Sequence, residues 1–431
     1  MATTDLTSPL ARPTEAAPRV QRSALRLPQE LRGTSTRSLV LSWLTSRALT
    51  LALMATIETS TTGDVQYYAR SLAALFSGGS IREVLQEYPL PVLVIMLPQY
   101  LLGGLNPVAF AVLFGTSMLT VDALFTWSLW RACRRRRAEA LTFWLWFVPA
   151  IGPMAYFRFD LVPAMLAGGA VLAAVRRPAW SGALTAIGAG LKLWPALMLP
   201  TFLLRRVDRR RVLVGFTLTG AAILGIAVAL GGVRRVLSPL HWQSDRGLQI
   251  ESVSATPLMI ARAFQPNHVW SVKVSQYKAW EIFGWGVQPV IVFTTIATAG
   301  GLALLGWLWK RARLLPVVSA EVLGWLFLAT SVIVTVTNKT LSPQYILWLG
   351  GPLAALMARS PGDRSVQRAG KLLLVICVLT QSVYPLTYAS LESGHGWEHF
   401  LSTGLLTTRN VLLVVLAGQA CRQVWLRTRA P

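Results

Sequence analysis

The sequence predicts an all-α fold, a polytopic bundle of transmembrane helices, and three observations carry that expectation. Of 431 residues, 53% are hydrophobic and 14% are charged. Apolar stretches of roughly 20 residues, the length that spans a bilayer as a helix, recur from Ser38 onward. Short basic clusters separate them, at 134–137, 176–177, 205–211, 310–313 and 359–371. Lipid offers the main chain no hydrogen bonds, so only helices or closed barrels cross it, and these runs are continuous rather than alternating.

The net charge of +23 would suit a nucleic-acid partner. Its distribution argues against one: cations between apolar segments orient helices by the positive-inside rule, and some can hold anionic membrane lipids. Cys133, Cys377 and Cys421 all fall outside the expected extracytoplasmic loops, so no disulfide framework is implied. Residues 1–37 are rich in Ala, Pro, Thr and Arg and contain no apolar run. They read as a disordered cytoplasmic tail before a transmembrane domain at 38–421, with 422–431 a second cytoplasmic tail.

Taking the basic clusters as cytoplasmic gives about ten full spans: 38–57, 108–130, 140–157, 161–175, 212–231, 287–309, 317–337, 341–358, 370–391 and 403–421. The outer loops are then 58–88 and 232–286. Two stretches break the alternation. Residues 89–105 are apolar, yet a full crossing there would put 134–137 outside, so whether they cross stays open. Residues 181–204 have basic clusters on both sides, with Lys192, Trp194 and Pro195 at their middle. A charge beside a helix breaker predicts two half-length helices with Lys192 at their tip, facing a polar cavity.

The first outer loop carries the leading candidate. Asp64 follows Gly63 and opens an amphipathic helix with Val65, Tyr68, Leu72 and Leu75 on one stripe. An Asp there is a good helix cap, worth roughly 1 kcal/mol. Taken alone it favours that cap; at the mouth of a cavity it is also a candidate general base.

Further motifs extend the pattern. Asp64 and Tyr68 are followed by Tyr88-Pro89, then by Arg158-Phe159-Asp160-Leu161-Val162-Pro163, by Gly188 to Pro195 with Lys192 and Trp194, and by Asn338 to Trp348 with Ser342-Pro343-Gln344-Tyr345. In order and membrane side this resembles the GT-C glycosyltransferases, and more narrowly glycosyltransferase family 87, over most of 38–358. Trp194 stands where the family's Lys-x-Tyr-Pro element has Tyr. The resemblance implies an integral membrane glycosyltransferase that moves a hexosyl group from a polyprenyl-phosphate sugar to a lipid or glycan acceptor on the extracytoplasmic side. It implies a plasma-membrane location, inversion at the sugar, and Asp64 as base. Mannose is the first expectation for the sugar and arabinose its competitor.

Roles for the other residues follow from charge. The donor's phosphodiester needs cations, and Arg158, Lys192 and Lys339 are the candidates. Snorkelling would explain Arg158 and Lys339 equally well, but it suits Lys192 poorly. Tyr68, Tyr88, His241, Arg246, Glu251, Gln344 and Tyr345 are the candidate substrate-binding residues, with a solvated loop as the alternative for His241, Arg246 and Glu251. No metal or other cofactor is required, because the phosphate is already a good leaving group.

Three motifs compete with this reading. His395, Glu398 and His399 match an inverted zinc-peptidase pattern, but they fall in an expected short loop with no third ligand. Asp122 lies within a span, where a proton-coupling carboxylate or a satisfied helix contact would each fit. Asn338-Lys339-Thr340 matches a glycosylation acceptor but sits too close to lipid. A transporter or flippase using Asp122, Lys192 and Glu321 is the alternative function, and a non-catalytic scaffold is a third.

Overall fold

The structure, a computed structural model, describes residues 35–57, 62–133, 138–265, 269–394 and 396–429. The expected N-terminal tail up to residue 34, the basic cluster 134–137 and His395 lie outside the described residues.

In chain order the helices are α1 (Thr36–Ile57), α2 (Gly63–Phe76), α3 (Leu93–Gly103), α4 (Pro107–Cys133), α5 (Glu139–Ile151), α6 (Met154–Phe157), α7 (Leu161–Ala173), α8 (Pro178–Leu191), α9 (Leu199–Phe202), α10 (Arg209–Asp245) and α11 (Thr256–Phe264). A hairpin of β1 (Trp270–Val274) and β2 (Trp280–Gly284) follows, antiparallel with Val274 opposite Trp280. Then come α12 (Val287–Arg313), α13 (Ala320–Val336), α14 (Leu347–Arg359), α15 (Arg364–Gln381), α16 (Tyr388–Ser393) and α17 (Gly396–Arg427). The chain is an all-α polytopic membrane bundle with one small sheet among the described residues.

Six helices are long and apolar enough to cross a membrane: α1, α4, α10, α12, α17, and α15 with the turn that extends it to Leu386. The other four expected spans are shorter. The helices α5, α7 and α14 each have 13 residues, about 20 Å of rise against a hydrocarbon core of about 30 Å. The fourth, α13, has 17. Their apolar composition has a different cause: every α14 residue from Leu347 to Ala358 is buried, and a helix hydrophobic on all sides belongs inside protein. The stretch 89–105 is likewise short, with Leu90–Gly103 as a compact apolar helical segment containing Pro98.

Small residues let these helices pack backbone to backbone. A Cβ on Gly215 of α10 would lie 2.0 Å from the Ala179 carbonyl oxygen of α8, and one on Gly182 would lie 2.1 Å from that of Val212. Gly351 of α14 meets Ala164 of α7 in the same way.

The segment expected as an open outer loop at 232–286 is instead built. The helix α10 continues to Asp245 past a sharp break at Gly232 (φ 78°, ψ 167°), a conformation open essentially to glycine alone. Beyond the break, Arg235 is 2% exposed and donates to the carbonyl oxygens of Val84, Leu85 and Tyr88, fastening the upper half of α10 to the first outer segment. At the other end of the chain, α17 runs to Arg427, beyond the expected limit at 421.

The expected break in 181–204 is present. The helix α8 stops at Leu191, Lys192 is extended (φ −146°, ψ 137°), and a 3-10 turn at Trp194–Met198 leads into α9. Short helices thus end partway through the bundle. The N-terminal ends of α7 and α14 and the C-terminal end of α8 meet one cavity, and the basic residues 176–177 and 359 lie at the far ends of the same helices.

Candidate active site

The cavity has a volume of about 1070 Å³, large enough for a sugar phosphate and part of an acceptor. Elements far apart in sequence line it: the start of α2, the segment before α7, the α8 break, the end of α10, the β-hairpin turn, and the segment linking α15 to α16.

Asp64 and Arg158 form its central contact. Asp64 lies in the first turn of α2, where Val65, Tyr68, Ala69 and Leu72 are buried and fix the helix face. Its expected capping role is not seen: Thr62 holds the N-cap position, and Asp64 turns its carboxylate to Arg158, with Oδ2 2.5 Å from Nη1. Arg158 closes α6 in an extended conformation, its side chain 8% exposed against 38% for Asp64. The carboxylate therefore keeps access to the cavity while its cation is sequestered.

Lys192 lies on the same cavity with a partner of its own. Its ammonium is 3.1 Å from Asp160 Oδ1 and 5.0 to 5.6 Å from the ring centres of Phe159, Tyr88, Tyr345 and Trp348. Asp160 is 1% exposed and also accepts from Trp348 Nε1 at 2.8 Å. A desolvated ammonium inside ring faces gains from their quadrupoles as well as from the carboxylate. Asp160 was legible as part of the Arg158 motif, but nothing in the spacing indicated that it serves Lys192.

The remaining candidates divide. Tyr88, Arg246, Gln344 and Tyr345 line the cavity. Tyr68 is buried beneath it, against Tyr88, Phe114 and Phe159, and supports the wall. His241 is exposed outside the cavity, its Nδ1 3.2 Å from the Leu237 carbonyl oxygen. Lys339 is also outside it, donating to the Ser244 carbonyl oxygen at 2.7 Å; it ties the α13 end to the α10 end. Glu251 borders the cavity but is fully buried and held by Arg409, 2.7 Å to Oε2 and 2.7 Å to its carbonyl oxygen. That pair anchors the outer segment to α17.

The charges that suggested transport are paired. Asp122 accepts from Arg47 Nε and Nη2 at 2.7 Å each, from Trp144 at 2.8 Å, Trp43 at 3.0 Å and Tyr156 at 3.1 Å. A carboxylate so satisfied is a structural ion pair rather than a proton carrier. Glu321, at the end of α13 away from the cavity, is bound by Arg427. Glu398 and His399 lie in the first turn of α17, not in a loop, and the His399 ring faces the Ser390 carbonyl oxygen at 3.0 Å. Asn338 lines the cavity and accepts from the Thr340 amide at 3.0 Å in the turn after α13.

Residues that sequence reasoning passed over complete the wall. Lys278, at the hairpin turn, stands 3.5 Å above the Tyr67 ring centre, and Tyr67 donates to Glu87 at 2.7 Å. Arg70, Tyr384, Tyr388 and Glu392 also line the cavity. Arg47 and Arg409 were signalled only as cations inside apolar runs, which is the pattern that marks a buried partner.

Bundle and cavity together define an integral membrane protein with a polar-lined cavity at one end of its short helices. A model of glycosyltransferase family 87 matches residues 87–335, more than half of the chain, which therefore belongs to that family and is a multi-pass membrane glycosyltransferase. The match includes Arg158, Lys192 and Glu251; Asp64 and the Ser342–Tyr345 element lie beyond its ends. No curated protein matches the chain.

Proposed function

We propose that the protein transfers a hexosyl group, mannosyl in the first instance, from a polyprenyl-phosphate sugar to a lipid or glycan acceptor at the extracytoplasmic face of the plasma membrane. The carrying observation is the Asp64–Arg158 pair at 2.5 Å on the wall of a cavity that Lys192 shares. In this reading Asp64 takes the proton of the acceptor hydroxyl as it attacks the anomeric carbon, and the lipid phosphate leaves from the opposite face. Arg158 bridges Asp64 and the departing phosphate, which Lys192 also faces. Arg158 and Lys192 are each matched by a carboxylate, and Arg246 and Lys278, cations of the hairpin side of the cavity, add to the neutralisation of the phosphate.

Location is supported by charge. The basic clusters among the described residues, at 176–177, 205–211, 310–313 and 359–371, lie away from the cavity lining, as an outward-facing site under the positive-inside rule requires. A prenyl anchor suits a cavity floored by short helices, because the sugar phosphate enters while the chain stays in lipid.

The test is transfer of labelled mannose from a short-chain polyprenyl-phosphate mannose by purified protein, with D64N in parallel. Turnover that D64N abolishes supports the reading. Turnover that survives it removes Asp64 from the mechanism, and movement of intact donor across vesicles without bond cleavage favours transport.

A further inference from the structure

Four carboxylates line the cavity among the described residues, and three are engaged. Asp64 pairs with Arg158, Glu87 accepts from the Tyr67 hydroxyl, and Glu251 pairs with Arg409. Glu392 is the exception. No described residue donates a hydrogen bond to its carboxylate or forms an ion pair with it.

Its placement is fixed by its own main chain. Arg262 of α11, 3% exposed, donates to the carbonyl oxygens of Leu391 at 2.9 Å and Glu392 at 2.8 Å. Gly394 follows at φ 73°, and a Cβ there would come within 2.4 Å of Arg262 Nη2. The guanidinium that would otherwise neutralise Glu392 is committed to the end of α16, and the acid is left on the cavity wall. Tyr388, one helical turn earlier on the same face, packs edge-on against Tyr384 at 5.0 Å, and Tyr384 neighbours Arg158. Glu392 is thus joined to the Asp64–Arg158 pair by two tyrosines. Burial without a partner pushes its carboxyl up to about 7. An acceptor group desolvated at a cost, yet given no donor by the protein, is matched by a ligand that brings donors.

The geometry points to Glu392 as an acceptor-binding residue, its carboxylate taking hydrogen bonds from the hydroxyls of a sugar or similar polyol and holding that acceptor beside Asp64. Two carboxylate oxygens match two adjacent hydroxyls, and an anionic acceptor would be repelled. The inference rests on the glycosyl-transfer reading of the cavity and narrows its acceptor class.

The probes are methyl α-glycosides of glucose, galactose and mannose, titrated against full-length protein in a detergent without a sugar headgroup and read by tryptophan fluorescence. Saturable binding of at least one is expected, weakened about 10-fold or more in E392Q and partly restored in E392D. With a short-chain polyprenyl-phosphate hexose as donor, the E392Q defect is expected in acceptor KM rather than in kcat. Equal binding by E392Q, no binding of any glycoside by the wild type, or a defect confined to kcat overturns the inference. Binding that depends on Glu392, with no transfer from any polyprenyl-phosphate donor, supports the glycan site and removes the donor assignment instead.

Discussion

Asp160 and Lys192 meet at 3.1 Å within a ring of four aromatic side chains, although one precedes α7 and the other ends α8. The contact holds two broken helix ends together at the cavity floor, and its charges are interdependent. K192M strands a buried carboxylate and is expected to cost about 3–5 kcal/mol of stability as well as activity. K192M/D160N is expected to recover melting temperature without recovering turnover. Thermal unfolding in detergent and a transfer assay separate the two effects.

Asp64 as the proposed base is expected to contribute to chemistry beyond its ion pair with Arg158. D64N is expected to lower kcat by about 10²–10⁴-fold. Its melting temperature should fall as well, because the substitution leaves the Arg158 guanidinium, 8% exposed, without its carboxylate. A large melting shift with modest kinetic change would reverse that assignment.

Arg47 and Asp122 test stability away from the cavity. R47M leaves Asp122 charged and buried, an expected loss of about 3–5 kcal/mol, while R47M/D122N should return most of it. A double-mutant cycle on unfolding reads the coupling directly.

Glu392 gives the pH dependence a sign. Its carboxyl is raised from 4.5 to about 7, so the folded state binds its proton more tightly than the unfolded chain does. The stability this lends is present below about pH 4.5 and is lost as pH rises through about 7. E392Q, neutral throughout, should therefore gain on wild type in melting temperature between pH 5 and pH 8. A constant difference across that range would mean that the carboxyl titrates normally.

The membrane class and most helix positions were legible because long apolar runs and interspersed cations carry that information locally. The break at Lys192 was legible too, since a charge and Pro195 interrupt an apolar run. Helix length was not, because α14 is apolar through burial in protein and α12 through contact with lipid, and composition does not distinguish the two. The hairpin was missed although Trp270–Val274 alternates apolar and polar side chains, because a five-residue run is short beside the long apolar segments around it. Within the cavity, Arg158 and Lys192 were nameable as cations near apolar segments. Long-range ion pairs were less so: Arg47 reaches Asp122 across 75 residues, and Arg409 reaches Glu251 across 158. Neither separation has a local signature. Lys339 and His241 resembled site residues by position in the chain, but the extension of α10 turns one into a strut and leaves the other outside.

The bend at Gly232 separates two ideas that are often entangled. Nothing lies within 4 Å of where a β-carbon would sit, so a larger residue meets no obstacle there, only an unfavourable torsion. The tilt of the canopy that Arg235 secures is thus encoded in a single dihedral pair rather than in shape-fitting neighbours. Evolution or design could re-aim the roof over the cavity by editing one backbone preference while every packed surface beneath it stays as it is.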